Sequence, residues 1–337
     1  MIDTYGRRVD YLRIAVTDRC NLRCVYCMPP SGVPWISQDD RLTVGEIERF
    51  VRVAATAGVT KVRLTGGEPL TQRDVVDLAR RLGSVPGIES LAVTTNGSLL
   101  ARYARRLADA GVRRVNVSLC SLDPAAYSRA TRGGRLEDAL AGIDAALQAG
   151  LEPVKINVVV MRSLAQDPLA FARLTLDRPL HVRFIEYMPM ADDLPFELPR
   201  ATGSGRTEGV SGDATLAAID AGARAAGLGS PVALAPQGWP TGWGPARYYQ
   251  IPGAQGTIGF ISPLSHLFCA DCSRLRLTAD GQLRSCLLSD DEFDVRGALR
   301  AGTDEELLSL IAAAVAAKPE SHLARMGTHR RMSQVGG

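Results

Sequence analysis

Six of the seven cysteines fall into two tight groups, Cys20, Cys24 and Cys27 near the start and Cys269, Cys272 and Cys286 near the end. The first group has the spacing C-x3-C-x2-C, three thiols within eight residues and no adjacent histidine. A structural zinc site takes four protein ligands, so three alone point to a metal centre with an open position. An iron-sulfur cubane held by three thiolates leaves one iron free to bind something else. The second group is preceded by His266, giving H-x2-C-x2-C-x13-C. That spacing suits a Cys3His zinc site as well as a second cluster, and spacing alone leaves both open.

The long gap before Cys286 has a simple explanation. RLRLTADGQLRSCL reads as a hairpin turning at Ala279 to Gly281, whose arms return Cys286 beside Cys269 and Cys272. Arg274 and Arg276 then share one strand face. Paired guanidiniums beside a metal site suit a polyphosphate better than a lone carboxylate, although a basic edge strand in water would look the same.

These groups must be carried by regular elements. Strand-like runs begin with YLRIAVT and continue through VTKVRLT, SLAVTT, VRRVNVSL, VKINVVVM and HVRFIEYM. Most are separated by helical segments, from Thr43 (a capping box with Glu46, closed by Gly58), over 73–82, 100–110 and 136–149, and near 169–176. Six βα units in fewer than 190 residues fall short of a closed eight-unit barrel, so the expectation is an α/β fold with a partial (β/α)6 barrel over residues 1–190. Residues 191–246 turn rich in Gly, Ala and Pro and read as a linker with a short helix. Residues 247–337 read as a smaller α+β extension.

In parallel α/β folds the site lies at the carboxyl ends of the strands. Here those ends carry the Cys20 loop, Gly66-Gly67-Glu68-Pro69, Thr94-Thr95-Asn96-Gly97, Ser118, and Glu186-Tyr187-Met188. Any one of these could be an ordinary turn; five together read as a site mouth. Arg13, Arg63 and Lys155 lie in or beside apolar strands, where a single charge could snorkel, but three inward charges call for a shared anion. With 39 Lys plus Arg against 36 Asp plus Glu in 337 residues, overall charge favours neither a nucleic-acid nor a membrane-surface partner. No apolar run is long enough to span a bilayer and no signal peptide is evident, so a cytoplasmic location is expected.

The run CNLRCVYC, with Tyr26 before its last cysteine, resembles the signature of radical S-adenosylmethionine enzymes, and GGEP resembles their second motif. The segments GRRVDYLRIAVTDRCNLRCVYCMP, KVRLTGGEPLTQRD, AVTTNG, VNVSL, VKINVVVM, VRFIEYMPM, TIGFISPLSHLFCADCSRLRLTADGQLRSCL and SQVGG together resemble the GTP 3′,8-cyclase family of molybdenum-cofactor biosynthesis across nearly the whole chain. That resemblance implies a lyase converting GTP to (8S)-3′,8-cyclo-7,8-dihydroguanosine 5′-triphosphate, with two [4Fe-4S] clusters and S-adenosyl-L-methionine. Cys20, Cys24 and Cys27 would hold one cluster and Cys269, Cys272 and Cys286 the other. Tyr26, Gly67, Ser118 and Met188 would line the S-adenosylmethionine pocket, and Arg13, Arg63, Thr94, Lys155, Arg274, Leu275 and Arg276 would bind GTP, Arg274 and Arg276 with catalytic weight. A reductase or reduced electron carrier and a homodimer are further family expectations. Gly336 and Gly337 would reach the active site.

Two positions depart from the family pattern. Cys120 stands where an aspartate is usual and, two residues after Ser118, is expected to face the cavity; Ser273 replaces an amide or acid. The rival readings are a radical enzyme that modifies a peptide, which would not need so many inward cations, and a zinc-ribbon binding module, which near-neutral charge and 5% aromatics disfavour.

Overall fold

The computed structural model describes residues 1–188, 190, 208–236, 240, 244–325 and 327–336. The strands β1 (Tyr11–Ala15), β2 (Lys61–Thr65), β3 (Ser90–Thr95), β4 (Arg114–Ser118), β5 (Val154–Val160) and β6 (Leu180–Glu186) pair in sequence order, all parallel. Between them run α1 (Val44–Thr56), α2 (Val75–Gly83), α3 (Leu100–Asp109), α4 (Pro124–Thr131), α5 (Leu136–Gln148) and α6 (Pro168–Arg173). This is the six-unit open barrel that the alternation implies.

Local signals set the helix starts. The Glu46 amide donates to Thr43 Oγ1 at 3.2 Å while the Thr43 amide donates to Glu46 Oε2 at 2.6 Å, the two halves of a capping box. Helix α4, which the periodicity reading passes over, has its own start signal: Pro124 occupies the first turn and Asp123 Oδ1 accepts from the Ala126 amide at 2.7 Å.

After β6 the chain adds α7 (Gly212–Ala225), β7 (Val232–Ala233), β8 (Arg247–Gln250), β9 (Thr257–Ile261), β10 (Arg274–Leu277), β11 (Gln282–Arg284), β12 (Glu292–Asp294), α8 (Arg296–Ala301), α9 (Asp304–Ala316) and α10 (Met332–Val335). β9 pairs parallel to β6 and β10 parallel to β1, so the C-terminal strands lengthen the barrel sheet at both edges. One twelve-strand sheet results, ordered β12-β11-β10-β1-β2-β3-β4-β5-β6-β9-β8-β7. The hairpin forms as expected, β10 antiparallel to β11 with Gly281 at φ +79° in the turn.

A period of two divides the sheet into faces. Leu12, Ile14, Val62, Leu64, Val93, Val117, Ile156, Phe184 and Leu277 are almost fully buried on one face, in the main apolar core that also includes helix residues such as Phe50 and Leu107. The opposite face belongs to the barrel interior and is polar.

The chain end is held to the hairpin by charge. The Arg284 side chain is completely buried, pairs with Glu292 and donates to Thr328 Oγ1 at 2.9 Å. Arg330 reaches Glu292 Oε1 at 2.7 Å and Asp280 Oδ2 at 2.9 Å. Together they fix residues 328–330, which lead into α10. Removing a buried partner strands its counter-charges, at a cost of about 3 kcal/mol. Arg284→Met is therefore expected to lower unfolding free energy by about that amount in urea titration; a change under about 1 kcal/mol would show that the network contributes little.

Candidate active site

The inner face is defined by strand register. Arg276 lies beside Arg13, Arg13 beside Arg63, Ala92 beside Arg114, Thr94 beside Asn116, Asn116 beside Lys155, and Asn157 beside Arg183. Arg274 joins them next to Tyr11. Among the inward positions of β1–β6, β9 and β10 there is no Asp or Glu. Arg63, Lys155, Arg183 and Arg276 are all nearly fully buried.

Neutral oxygens hold these cations apart. The Arg63 Nε–H donates to the Tyr11 hydroxyl, and its Nη1 to Thr94 Oγ1 at 3.2 Å. Arg183 donates twice to Asn157 Oδ1, at 3.0 and 2.6 Å, and Lys155 Nζ donates to the Tyr248 hydroxyl at 3.3 Å. Burial, then the Arg183, Arg63 and Arg114 charges, push Lys155 down to about 6. Burial, together with Arg63, Arg274 and Arg183, pushes Arg13 down to about 10, against an opposing pull from Tyr11. Like charges crowded into a buried cavity bind an anion strongly.

The first cysteine loop leaves β1 and is braced by the turn after β2. The Gly67 amide donates to Thr17 O and the Glu68 amide to Arg19 O, both at 2.8 Å. A Cβ on Gly67 would lie 2.2 Å from Arg19 O, and one on Gly66 2.3 Å from Thr17 O. The glycines are needed for this backbone contact, a use of the motif that comes in addition to any approach by a ligand. Glu68, completely buried, accepts from the Thr95 hydroxyl at 2.8 Å and the amides of Asn96 and Leu70 at 2.6 and 3.0 Å. Burial holds its carboxyl up at about 7 against those donors. Asn96 then aims its Nδ2 at Cys20 Sγ, 3.8 Å away, and at Asn21 Oδ1, 2.9 Å away.

Cys20, Cys24 and Cys27 are half-buried neighbours. Burial, then the other thiols, pushes Cys24 well up, and burial with Cys20 pushes Cys27 up to about 12. The Tyr26 side chain is in hydrogen-bond contact with Cys24. Three soft donors that resist ionisation on their own suit a metal centre that holds them as thiolates, and thiol donors suit iron and sulfide better than a hard cation.

The second set is electrically different. Arg274 Nε donates to Cys272 Sγ at 3.4 Å. Burial opposes ionisation of Cys272, but the Arg274 and Lys318 charges bring it down to about 6. His266, the zinc candidate, is exposed and taken up elsewhere, with Nε2 at 2.6 Å from Asp213 Oδ2. No three His, Cys, Asp or Glu side chains among the described residues converge on a single-ion site. A Cys3His set with His266 is not assembled.

Comparison with known proteins identifies the family. Residues 14–174 match the Radical SAM superfamily model and residues 180–324 the Molybdenum Cofactor Synthesis C model. Over the full length of both chains the sequence is 48% identical to the GTP 3′,8-cyclase of Pelotomaculum thermopropionicum and 46% identical to that of Moorella thermoacetica. The chain belongs to the GTP 3′,8-cyclase family. Membership in this radical SAM family brings S-adenosylmethionine and a [4Fe-4S] cluster. The fold is also similar to that of Streptococcus suis SuiB bound to S-adenosylmethionine, at a TM-score of 0.57 and 14% identity, over 91% of this chain and 68% of SuiB.

Within this cyclase-family framework, Arg13, Arg63, Thr94, Lys155, Arg274 and Arg276 share the inner face, with Ser118 at its upper rim. Met188 follows β6, half-buried. Leu275 is the exception. Strand alternation turns its side chain into the apolar core, 2% exposed, so it cannot line the cavity. Arg276 donates through Nη1 to the carbonyls of Val335 and Gly336 at the chain end; Gly337 lies outside the described residues. Cys120 sits in the apolar core, 2% exposed, with Cys24, Tyr26 and Tyr127 as its electrostatic neighbours rather than the cationic cavity. Ser273 contributes its carbonyl to the Asp10 and Tyr11 amides.

Arg114, Asn116, Asn157 and Arg183 were not singled out from the sequence. Their alternation with apolar residues in RRVNVS, VKINVVV and LHVRFIE was the available signal. Gly67→Ala is expected to push the GGEP turn off the cysteine loop and lower iron retention at the first site after anaerobic reconstitution, with the chain still folded by circular dichroism. Full iron content in that variant would overturn the bracing role.

Proposed function

We propose that this chain converts GTP to (8S)-3′,8-cyclo-7,8-dihydroguanosine 5′-triphosphate, the first step of molybdenum cofactor biosynthesis, with two [4Fe-4S] clusters. The supporting observation is the carboxylate-free cationic face between two sets of three cysteines. Bound at the first of these sets, a reduced cluster and S-adenosylmethionine would supply the radical chemistry that joins the ribose C3′ to guanine C8. In this reading Cys20, Cys24 and Cys27 hold that cluster, and Tyr26, Gly67, Ser118 and Met188 line the cofactor pocket. Cys269, Cys272 and Cys286 hold the second cluster on the guanine side.

Arg13, Arg63, Lys155, Arg274 and Arg276, joined by Arg183 on the same face, take the triphosphate, whose charge offsets their mutual repulsion. Thr94 and Asn157 orient Arg63 and Arg183. In the same reading residues 1–190 are the radical core and 247–337 the substrate-side extension, whose strands β9 and β10 continue the two edges of the core sheet. Residues 191–246 are the linker, part of which lies outside the described residues. Family likeness further supports a cytoplasmic enzyme, a reductase or reduced carrier as electron source, and a homodimer. No helix among the described residues is long and apolar enough to cross a membrane.

Anaerobic reconstitution is expected to give about eight irons per chain, and addition of GTP, S-adenosylmethionine and a strong reductant to give GTP-dependent 5′-deoxyadenosine. About four irons, with zinc alongside, would instead make the C-terminal site structural and remove the GTP assignment.

Lys155 gives a second test. Its folded pKa, about 6, lies below the free-lysine value, so at pH 8 the empty cavity holds it neutral. A bound triphosphate favours the charged form and raises that pKa, so binding between about pH 6 and pH 10 takes up protons, and affinity falls as pH rises through that window. Calorimetric titration of GTP at pH 8 in buffers of different ionisation enthalpy is expected to show uptake approaching about one proton, absent in Lys155→Met. Equal uptake by both proteins would place the proton elsewhere.

A further inference from the structure

The sequence pointed to His266 as the histidine of the second cysteine set, but the histidine beside that set is His322. Its Nδ1 lies 3.2 Å from Cys269 Sγ, and the residue is 7% exposed. Nε2 is buried and has no hydrogen-bond partner among the described residues. A neutral imidazole carries one N–H. With no acceptor at Nε2, the proton belongs on Nδ1, where the sulfur can accept it.

The surrounding chain is built to hold this contact. The Arg7 guanidinium donates to Cys269 O at 2.9 Å and to Glu320 O at 3.0 Å through Nη1, and to Pro319 O at 2.8 Å and Lys318 O at 3.3 Å through Nη2. One planar fork thus ties the cysteine loop to the segment that carries His322, and Asp3 Oδ2 anchors the fork from behind at 2.5 Å. Lys318, 3% exposed, donates to Ser285 O at 2.7 Å and Arg274 O at 2.9 Å, binding the same segment to the residues next to Cys286 and Cys272.

We propose that His322 is a positioning residue of the second site, donating its Nδ1–H to the Cys269 sulfur and thereby setting the reduction potential of the cluster those cysteines hold. The inference rests on the two-cluster reading above. Hydrogen bonds to ligand sulfur withdraw negative charge and raise a cluster's potential. Arg7 and Lys318 fix the distance at which this happens.

The test uses the reconstituted full-length chain and compares the parent with His322→Ala, His322→Asn and His322→Gln. Asn places an amide N–H close to the position of Nδ1, whereas Gln carries its donor farther out. Redox titration followed by electron paramagnetic resonance is expected to show the second cluster shifted to more negative potential in the Ala and Gln proteins and restored toward the parent in the Asn protein. The first cluster should not move, and all proteins should keep about eight irons. If the Ala protein fails to fold, the Asn and Gln pair still decides. An unshifted second cluster in both the Ala and Gln proteins, or in Gln alone where Ala does not fold, overturns the inference. So does loss of about four irons in both Ala and Asn, which would make the imidazole an iron ligand. A parent with about four irons would overturn the two-cluster reading first and this inference with it.

Discussion

Burying like charges opposite one another is the constraint on which the rest of the structure depends. Arg13, Arg63, Lys155, Arg183, Arg274 and Arg276 share one face with no acidic residue at its inward strand positions. Each loses hydration and repels its neighbours, terms that oppose folding. What offsets them lies on the other side of the same strands, where Leu12, Ile14, Val62, Leu64, Ile156 and Phe184 pack in the main apolar core. Tyr11, Thr94, Asn157 and Tyr248 supply acceptors that fix the cations without neutralising them. An acidic residue at any of those four places would have quenched the site.

Keeping the cations unneutralised also dictates how the mouth is built. The cysteine loop and the GGEP turn meet backbone to backbone, an approach that a side chain on Gly66 or Gly67 would block. Glu68 then crosses beneath to the third strand, and Asn96 carries the contact on to Cys20. The one buried carboxylate in this chain of contacts is surrounded by donors and faces away from the cavity cations, so it organises the loop without competing for them. Loop geometry, and with it the placement of three thiols, follows from residues on three successive strand ends.

Much of this was legible in the sequence because it is local. The βα alternation, the Thr43–Glu46 cap, the hairpin at Gly281 and the shared face of Arg274 and Arg276 all follow from periodicity and turn chemistry within a few residues. What failed to show was nonlocal. Nothing in TIGFI or RLRL states that each will pair parallel with a barrel strand far away in sequence. Leu275 was carried along with its arginine neighbours, although period two sends it to the opposite face. His266 illustrates the limit best: three residues from Cys269 in sequence, it bonds Asp213, while His322, 53 residues away, touches the sulfur. Spacing proposes ligands, and chain packing chooses among them.

The two cysteine sets also differ in a way that assigns direction to the cavity. At the first set the neighbours are other thiols, an amide and backbone N–H groups, and ionisation is disfavoured. At the second, Arg274, Lys318 and His322 approach the sulfurs, and Cys272 ionises readily. The β10 end of the cavity is therefore the one where cationic side chains and cysteine sulfur meet directly. The chain end sits between the two. Gly336, at φ +73°, passes so close to β2 that a Cβ would lie 2.9 Å from Thr65 Oγ1, and its carbonyl accepts from Arg276. A guanidinium crowded by Arg13 and Arg274 is thereby given neutral partners from the protein itself. Arg276 is thus tied to the chain end through Nη1, and with Arg13, Arg63 and Arg274 it lines the face that an incoming anion would meet.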